Sequence, residues 1–149
     1  MAGTIDHLFE LVDRLDDDNA LEEAVFELYA PEAVFADPIQ TVQGRKEILK
    51  MYRDMVKLFP EISATLKAKI ESETLACGEW QMTFKPKYWP STITLNGTSW
   101  LELDNQGRIL RHQDYWDLWE FLRGGLPIQE LIGERLPEPL KKLLGRDKR

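Results

Sequence analysis

The chain has 149 residues, 43% hydrophobic and 30% charged, with a formal net charge of −7, and its mean hydropathy of −0.40 marks a globular domain rather than a disordered segment. The acidic balance, with a sequence pI of about 4.9, excludes phosphate-backbone recognition, which needs clustered Lys and Arg, so no nucleic-acid partner is expected. Cys77 is the single cysteine, leaving neither an intrachain disulfide nor a cysteine metal cluster. The N-terminal residues lack a secretory pattern and no apolar run approaches the roughly 20 residues of a membrane span. A cytoplasmic protein without a membrane partner is the expectation.

In chain order, Ile5, Leu8, Leu11, Val12 and Leu15 have the spacing of an amphipathic helix. After the acidic run Asp16 to Asp18, Asn19 with Glu22 predicts a capping box, and Leu21, Val25, Leu28 and Tyr29 form the stripe of a second helix. Pro31 is expected to stop it, and Ala33 to Asp37 read as a short strand. A third helix, about Arg45 to Phe59, carries Ile48, Tyr52, Met55, Val56 and Phe59 on one face and ends at Pro60. The period then changes from that of a helix to that of a strand. Ala64, Leu66, Ala68 and Ile70 alternate with polar residues, as do Trp80, Met82 and Phe84. Pro86 and Pro90 place Tyr88 and Trp89 in a loop.

Ser99, Leu101 and Leu103 share a face of the next strand, the segment 104–107 has the residues of a tight turn, and the last strand runs from about Arg108 to Trp116. Its alternation puts His112, Asp114 and Trp116 on one face and Arg111, Gln113 and Tyr115 on the other. Residues from about 118 onward form a C-terminal extension, with Trp119, Phe121 and Leu122 followed by short helical pieces broken by Pro127, Pro137 and Pro139. The stripe of Leu140, Leu143 and Leu144 reads as a cap on the domain rather than a membrane contact. Helices followed by neighbouring strands predict a single α+β domain spanning the whole chain, with a curved antiparallel sheet and the helices on its concave side.

The run YAPEAVFADPIQTVQGRKEILKMY, Tyr29 to Tyr52, resembles a characteristic stretch of the nuclear transport factor 2-like superfamily, which holds ketosteroid isomerases, SnoaL-type polyketide cyclases and scytalone dehydratase. The segment LELDNQGRILRHQDYWD resembles the last hairpin of its uncharacterised bacterial branches. The resemblance implies a cone-shaped domain: three N-terminal helices closing a strongly curved antiparallel sheet around one pocket. Because that superfamily mixes enzymes with binding modules, the fold does not choose a function.

The resemblance puts Asp37 at the catalytic base of the isomerases, in the same Ala-Asp-Pro context; the alternative is a turn-forming Asp before Pro38. It puts His112 and Asp114 on pocket-lining positions where the isomerases carry apolar residues. Their Cβ atoms lie within roughly 7 Å on a strand, near enough for an acid–base pair or for a purely structural one. The isomerase oxyanion hole needs a first-helix tyrosine and a protonated aspartate; the corresponding residues here are Phe9 or Val12 and Ser99, which speaks against steroid isomerase activity. Tyr52, Met55, Phe59, Trp80, Met82, Phe84, Ser99, Leu101 and Trp116 are the candidate lining of a pocket for a small apolar polyketide-, steroid- or terpenoid-like ligand. Trp100 and Tyr115, on the opposite sheet face, suggest a homodimer surface. His7 has no ligand spacing to His112, so no metal is expected, and no cofactor motif occurs. Two functions stay open: a cofactor-free isomerase, cyclase or dehydratase, with Asp37, His112 and Asp114 catalytic, and a non-catalytic ligand-binding or dimeric scaffold domain.

Overall fold

A computed structural model describes residues 2–85, 87 and 91–125. The expectations for Tyr88 and Trp89, and for the segment after residue 125, lie outside the described residues. The elements are α1 (Thr4–Val12), α2 (Asp18–Leu28), β1 (Tyr29–Ala36), β2 (Thr41–Gln43), α3 (Arg45–Leu58), β3 (Glu61–Glu71), β4 (Leu75–Lys85), β5 (Ile93–Leu103), β6 (Ile109–Trp116) and α4 (Leu118–Gly125). The fold is α+β: helices pack on one face of a six-stranded sheet of order β2-β1-β6-β5-β4-β3. The sheet is mixed rather than wholly antiparallel, because β1 lies parallel to β6 while β3 to β6 form an antiparallel meander. Alternation of side chains assigns residues to faces and says nothing about the direction of the neighbouring strand.

Two local readings change. Asp17, not Asn19, caps α2, its side chain accepting from Ala20 N at 3.1 Å. Asn19 is already helical, and Glu22 instead takes Arg53 at 2.9 Å, tying α2 to α3. Tyr29 is not on the α2 stripe: the backbone turns extended there and Tyr29 opens β1. Pro31 therefore sits inside a strand, where the β1–β6 register breaks between Tyr29 and Val34 and a missing N–H is tolerated.

Bulges also set the sheet faces. A register shift between Leu66 and Ala68 reverses the phase of β3. Ile70, expected inside, is 80% exposed on the outer face. Lys69 and Glu71 turn inward instead and hold α1: Lys69 pairs with Asp6, and Glu71 accepts from Thr4 N at 2.8 Å at the positive end of the helix. Asp104 builds the β5–β6 turn as expected, accepting from Gln106 N and Arg108 N at 2.8 and 2.9 Å, with Gly107 at a φ of 77°. The hairpin register then places inner-face residues in rows: Leu101 beside His112 beside Phe35, Ser99 beside Asp114, and Trp80 beside Gly97 beside Trp116. A side chain at Gly97 would overlap the Trp80 ring, so this glycine is what lets the indole lie across β5.

The main core joins Ile5, Leu8 and Leu11 of α1, Leu21 and Val25 of α2 and Ile48 and Tyr52 of α3 to Phe35, Leu101 and Ile109 of the sheet. A second cluster, Trp80, Phe84, Ile93 and Leu95, fills the other end, with Phe59, Met82, Trp116 and Phe121 against it. Among the described residues no helix is long and apolar enough to cross a membrane.

Candidate functional site

His112 is 2% exposed, and an imidazole in such a place needs a partner at each nitrogen. Both are present. Its Nε2 lies 2.7 Å from Asp114 Oδ1 and its Nδ1 lies 2.7 Å from the Tyr29 hydroxyl. That hydroxyl is 2.8 Å from the hydroxyl of Tyr52 on α3. On the other side, Ser99 Oγ donates to Asp114 Oδ1 at 2.5 Å, and Trp80 Nε1 donates to Ser99 Oγ at 3.0 Å. One hydrogen-bonded chain thus runs Tyr52–Tyr29–His112–Asp114–Ser99–Trp80 through β1, α3, β4, β5 and β6. Phe35 closes over the imidazole edge-on with ring centres 4.8 Å apart.

The direction of the chain follows from the chemistry of its members. A carboxylate only accepts, so Nε2 carries the hydrogen towards Asp114. In the neutral ring Nδ1 then accepts, which makes Tyr29 the donor to His112 and Tyr52 the donor to Tyr29. Every hydrogen points towards Asp114. Burial pushes the ionisation of Tyr29 well above the ordinary tyrosine range, with the neighbouring Tyr52 and the Asp114 charge adding to it. Burial raises Tyr52 in the same way, and Asp114 contributes there too. Both hydroxyls therefore keep their hydrogens at neutral pH.

Of the residues singled out in the sequence, this chain brings together His112, Asp114, Ser99, Trp80 and Tyr52. Leu101 is fully buried beside His112. Phe59, Met82, Phe84 and Trp116 belong to the second cluster, and Met55 packs on the main core. Asp37 stands apart. Its Oδ1 accepts from Ile39 N at 2.9 Å and Gln40 N at 3.0 Å, and its Oδ2 from Gln40 Nε2 at 3.4 Å, so the carboxylate is engaged in its own turn. Tyr29 is the member that sequence reasoning missed, having been placed on a helix stripe. Its signal was a tyrosine in phase with the apolar residues Leu21, Val25 and Leu28, since a phenol buried with them requires a partner.

A cavity of about 590 Å3 opens elsewhere, where α1 and α2 meet the β5–β6 turn, between Thr4, His7, Arg14, Glu27, Glu71 and Arg108. None of the residues expected to hold a ligand lines it. Among the described residues no cluster of three or more His, Cys, Asp or Glu could hold a metal ion.

Two outcomes follow from the chain. Tyr29→Phe leaves both His112 Nδ1 and the Tyr52 hydroxyl without a buried partner and should cost about 1–3 kcal/mol; Tyr52→Phe leaves Tyr29 still donating to His112 and should cost about 0.5–1.5 kcal/mol. Urea unfolding at neutral pH reads this order, and the reverse order would refute the place of Tyr29 as the link between His112 and Tyr52. Unfolded tyrosine ionises at the ordinary value of 10.0, and both folded hydroxyls are raised above it. The stabilising effect of the pair is complete below that value and is lost as pH climbs beyond it, because the unfolded chain then releases protons the folded state retains. Unfolding followed at increasingly alkaline pH should show a shallower decline for the Tyr29→Phe/Tyr52→Phe double variant than for the parent chain.

The model of the SnoaL-like domain family matches residues 7–112. No curated protein matches the chain. Among solved structures, an NTF2-like protein of unknown function from an Exiguobacterium species is similar with a TM-score of 0.68 and 22% identity, over 77% of this chain and 98% of that one. An NTF2-like protein of unknown function from Burkholderia pseudomallei gives a TM-score of 0.69 at 17% identity, over 83% and 98%. A Catenulispora acidiphila protein with a ketosteroid isomerase-like fold, solved in complex with trimethylamine, gives 0.69 at 18% identity, over 81% and 93%. At these identities the likeness speaks for the fold alone, and the family match over most of the chain carries the assignment. The chain belongs to the SnoaL-like domain family.

Proposed function

We propose that this domain binds a small, flat, largely apolar molecule carrying a carbonyl or hydroxyl group, and that Asp114 moves a proton on it without a cofactor, in an isomerisation, cyclisation or dehydration. The supporting observation is the asymmetry of Asp114. Its Oδ1 receives both His112 and Ser99, while no described residue donates to its Oδ2, and its side chain is 18% exposed against 3% for His112. A carboxylate held through one oxygen presents the other to a ligand. Asp114 is therefore the base in this reading. His112 is a positioning residue, locked by Tyr29 and Tyr52, and Asp37 is a turn residue. Trp116, Trp80, Met82, Phe84 and Phe59 supply apolar wall. Described strong donors that would stabilise an enolate are missing from α1, so the reading favours substrates whose own conjugation spreads the charge.

The probe is β-tetralone, a flat bicyclic ketone whose acidic carbon-bound hydrogens exchange with deuterium. The parent chain should accelerate this exchange, and Asp114→Asn should lose about 10²–10⁴-fold of the acceleration while still binding the ketone. An unchanged rate in Asp114→Asn would exclude Asp114 as the base. Binding without exchange in the parent chain would leave the second reading, a non-catalytic ligand-binding domain, which the missing donors favour.

We also propose a homodimer through the outer sheet face, where Ile70, Leu75, Trp100 and Tyr115 form an exposed apolar surface. The described part of the C-terminal extension, α4, packs on the inner cluster and leaves these rings uncovered. Sedimentation at micromolar concentration should show a dimer that Trp100→Glu converts to a monomer; a monomeric parent chain refutes it.

A further inference from the structure

The cavity of about 590 Å3 between α1, α2 and the β5–β6 turn shares no lining residue with the polar chain of His112 and Asp114. Most charges around it are committed. His7 Nδ1 lies 3.0 Å from Glu10 Oε2, Arg108 Nε donates to Asp104 Oδ2 at 2.8 Å, and Glu71 accepts from Thr4 N and Ile5 N at 2.8 and 3.3 Å. Two charges are not committed. Among the described residues Arg14 and Glu27 have no hydrogen-bond or ion-pair partner, and although they line one cavity they do not pair with each other. Leu11, Ala24 and Leu28 add aliphatic wall. The fold sets the two free charges at opposite ends. Thr4 Oγ1 donates to Gly107 O at 2.9 Å, which seats the start of α1 on the turn. Leu28 precedes Tyr29, whose strand partner is Ile109, so the end of α2 that carries Glu27 lies at the turn as well. From there α1 runs away, about 12 Å from Thr4 to Val12, and Arg14 lies just past its end.

We propose that this cavity binds a short peptide of two or three residues with free termini, its carboxylate on Arg14, its ammonium on Glu27 and an aliphatic side chain against Leu11, Ala24 and Leu28. The inference is independent of the role given to Asp114. A ligand of one charge leaves the opposite charge of the cavity unanswered, so a zwitterion is the class that matches both. A free amino acid carries both charges on one carbon and cannot reach both ends. A peptide adds roughly 3.5 Å per residue, so two or three residues fill the gap left after the Arg14 and Glu27 side chains reach over the cavity. The volume lies within the roughly 300–1,000 Å3 of small-molecule sites. A guanidinium can grip the terminal carboxylate through two parallel hydrogen bonds, which fixes the direction in which the peptide lies.

Isothermal titration with the tripeptide Ala-Leu-Ala tests the site. The parent chain should bind it with a Kd below about 1 mM, and free leucine at least about tenfold more weakly. Arg14→Gln and Glu27→Gln should each weaken the tripeptide about tenfold, from loss of one charge-assisted contact. Both side chains are exposed and without a partner among the described residues, so neither substitution should lower the thermal unfolding midpoint. Blocked peptides then assign the ends. The C-terminal amide should bind the parent chain about tenfold more weakly and lose nothing further in Arg14→Gln; the N-acetylated peptide should behave in the same way towards Glu27→Gln. If the tripeptide does not bind the parent chain, or binds both variants as tightly as the parent, the site is refuted. If free leucine binds as well as the tripeptide, the ligand class is refuted. If blocking either end leaves the affinity unchanged, the pairing of charges falls.

Discussion

A buried imidazole has two nitrogens, and in this protein satisfying both organises the interior. His112 cannot face the helix-covered side of the sheet without a hydrogen-bond partner at each end, because an unpaired polar atom there costs as much as a lost core contact. Asp114 supplies one partner from the same strand, and Tyr29 supplies the other from the parallel neighbour β1. Tyr52 then ties α3 to that pair, and Ser99 and Trp80 tie β5 and β4 to the carboxylate. No buried side-chain nitrogen or oxygen among the described residues is left without a partner. A network satisfied throughout is rigid, and one with a single member removed is costly, which makes it a specifying element of the fold.

The same wiring separates rigidity from access. Five members are buried donors that point one way, and the single negative group at which they converge is the member nearest solvent. A base needs both properties: an orientation that does not relax when a proton arrives, and a free oxygen to receive it. In the proposed reading the carboxylate is the base and the imidazole its support. His112, the obvious proton carrier by residue type, is enclosed by Phe35 and Tyr29 and acts on the carboxylate rather than on solvent.

The two ends of the helix-covered face differ in kind. Around His112 the aliphatic side chains of α1, α2 and α3 pack against the sheet. Around Trp80 and Phe84 the packing is aromatic and is completed by a helix from beyond the sheet. The first end holds the polar chain in place, and the second adds the Phe121 ring of α4 to the aromatic side chains of the sheet. Gly97 joins them, since its missing side chain lets the Trp80 indole cross β5 to reach Ser99.

The amino-acid pattern alone determined the α+β class, the three helices, the Asp104 turn and the placement of His112, Asp114 and Trp116 on one face. Each depends on the spacing of neighbours along the chain, and a period of two or of 3.6 is written in the residues themselves. It did not determine the phase of β3, because one bulged residue at Lys67 turns every later side chain over. Nor did it determine the parallel β1–β6 pairing, or the bonds that join Tyr29 to Tyr52 and His112 across 23 and 83 residues of chain. Those were decided by the tertiary structure, because burial is what forces a phenol and an imidazole to find each other, and only the packed fold says which groups are buried together.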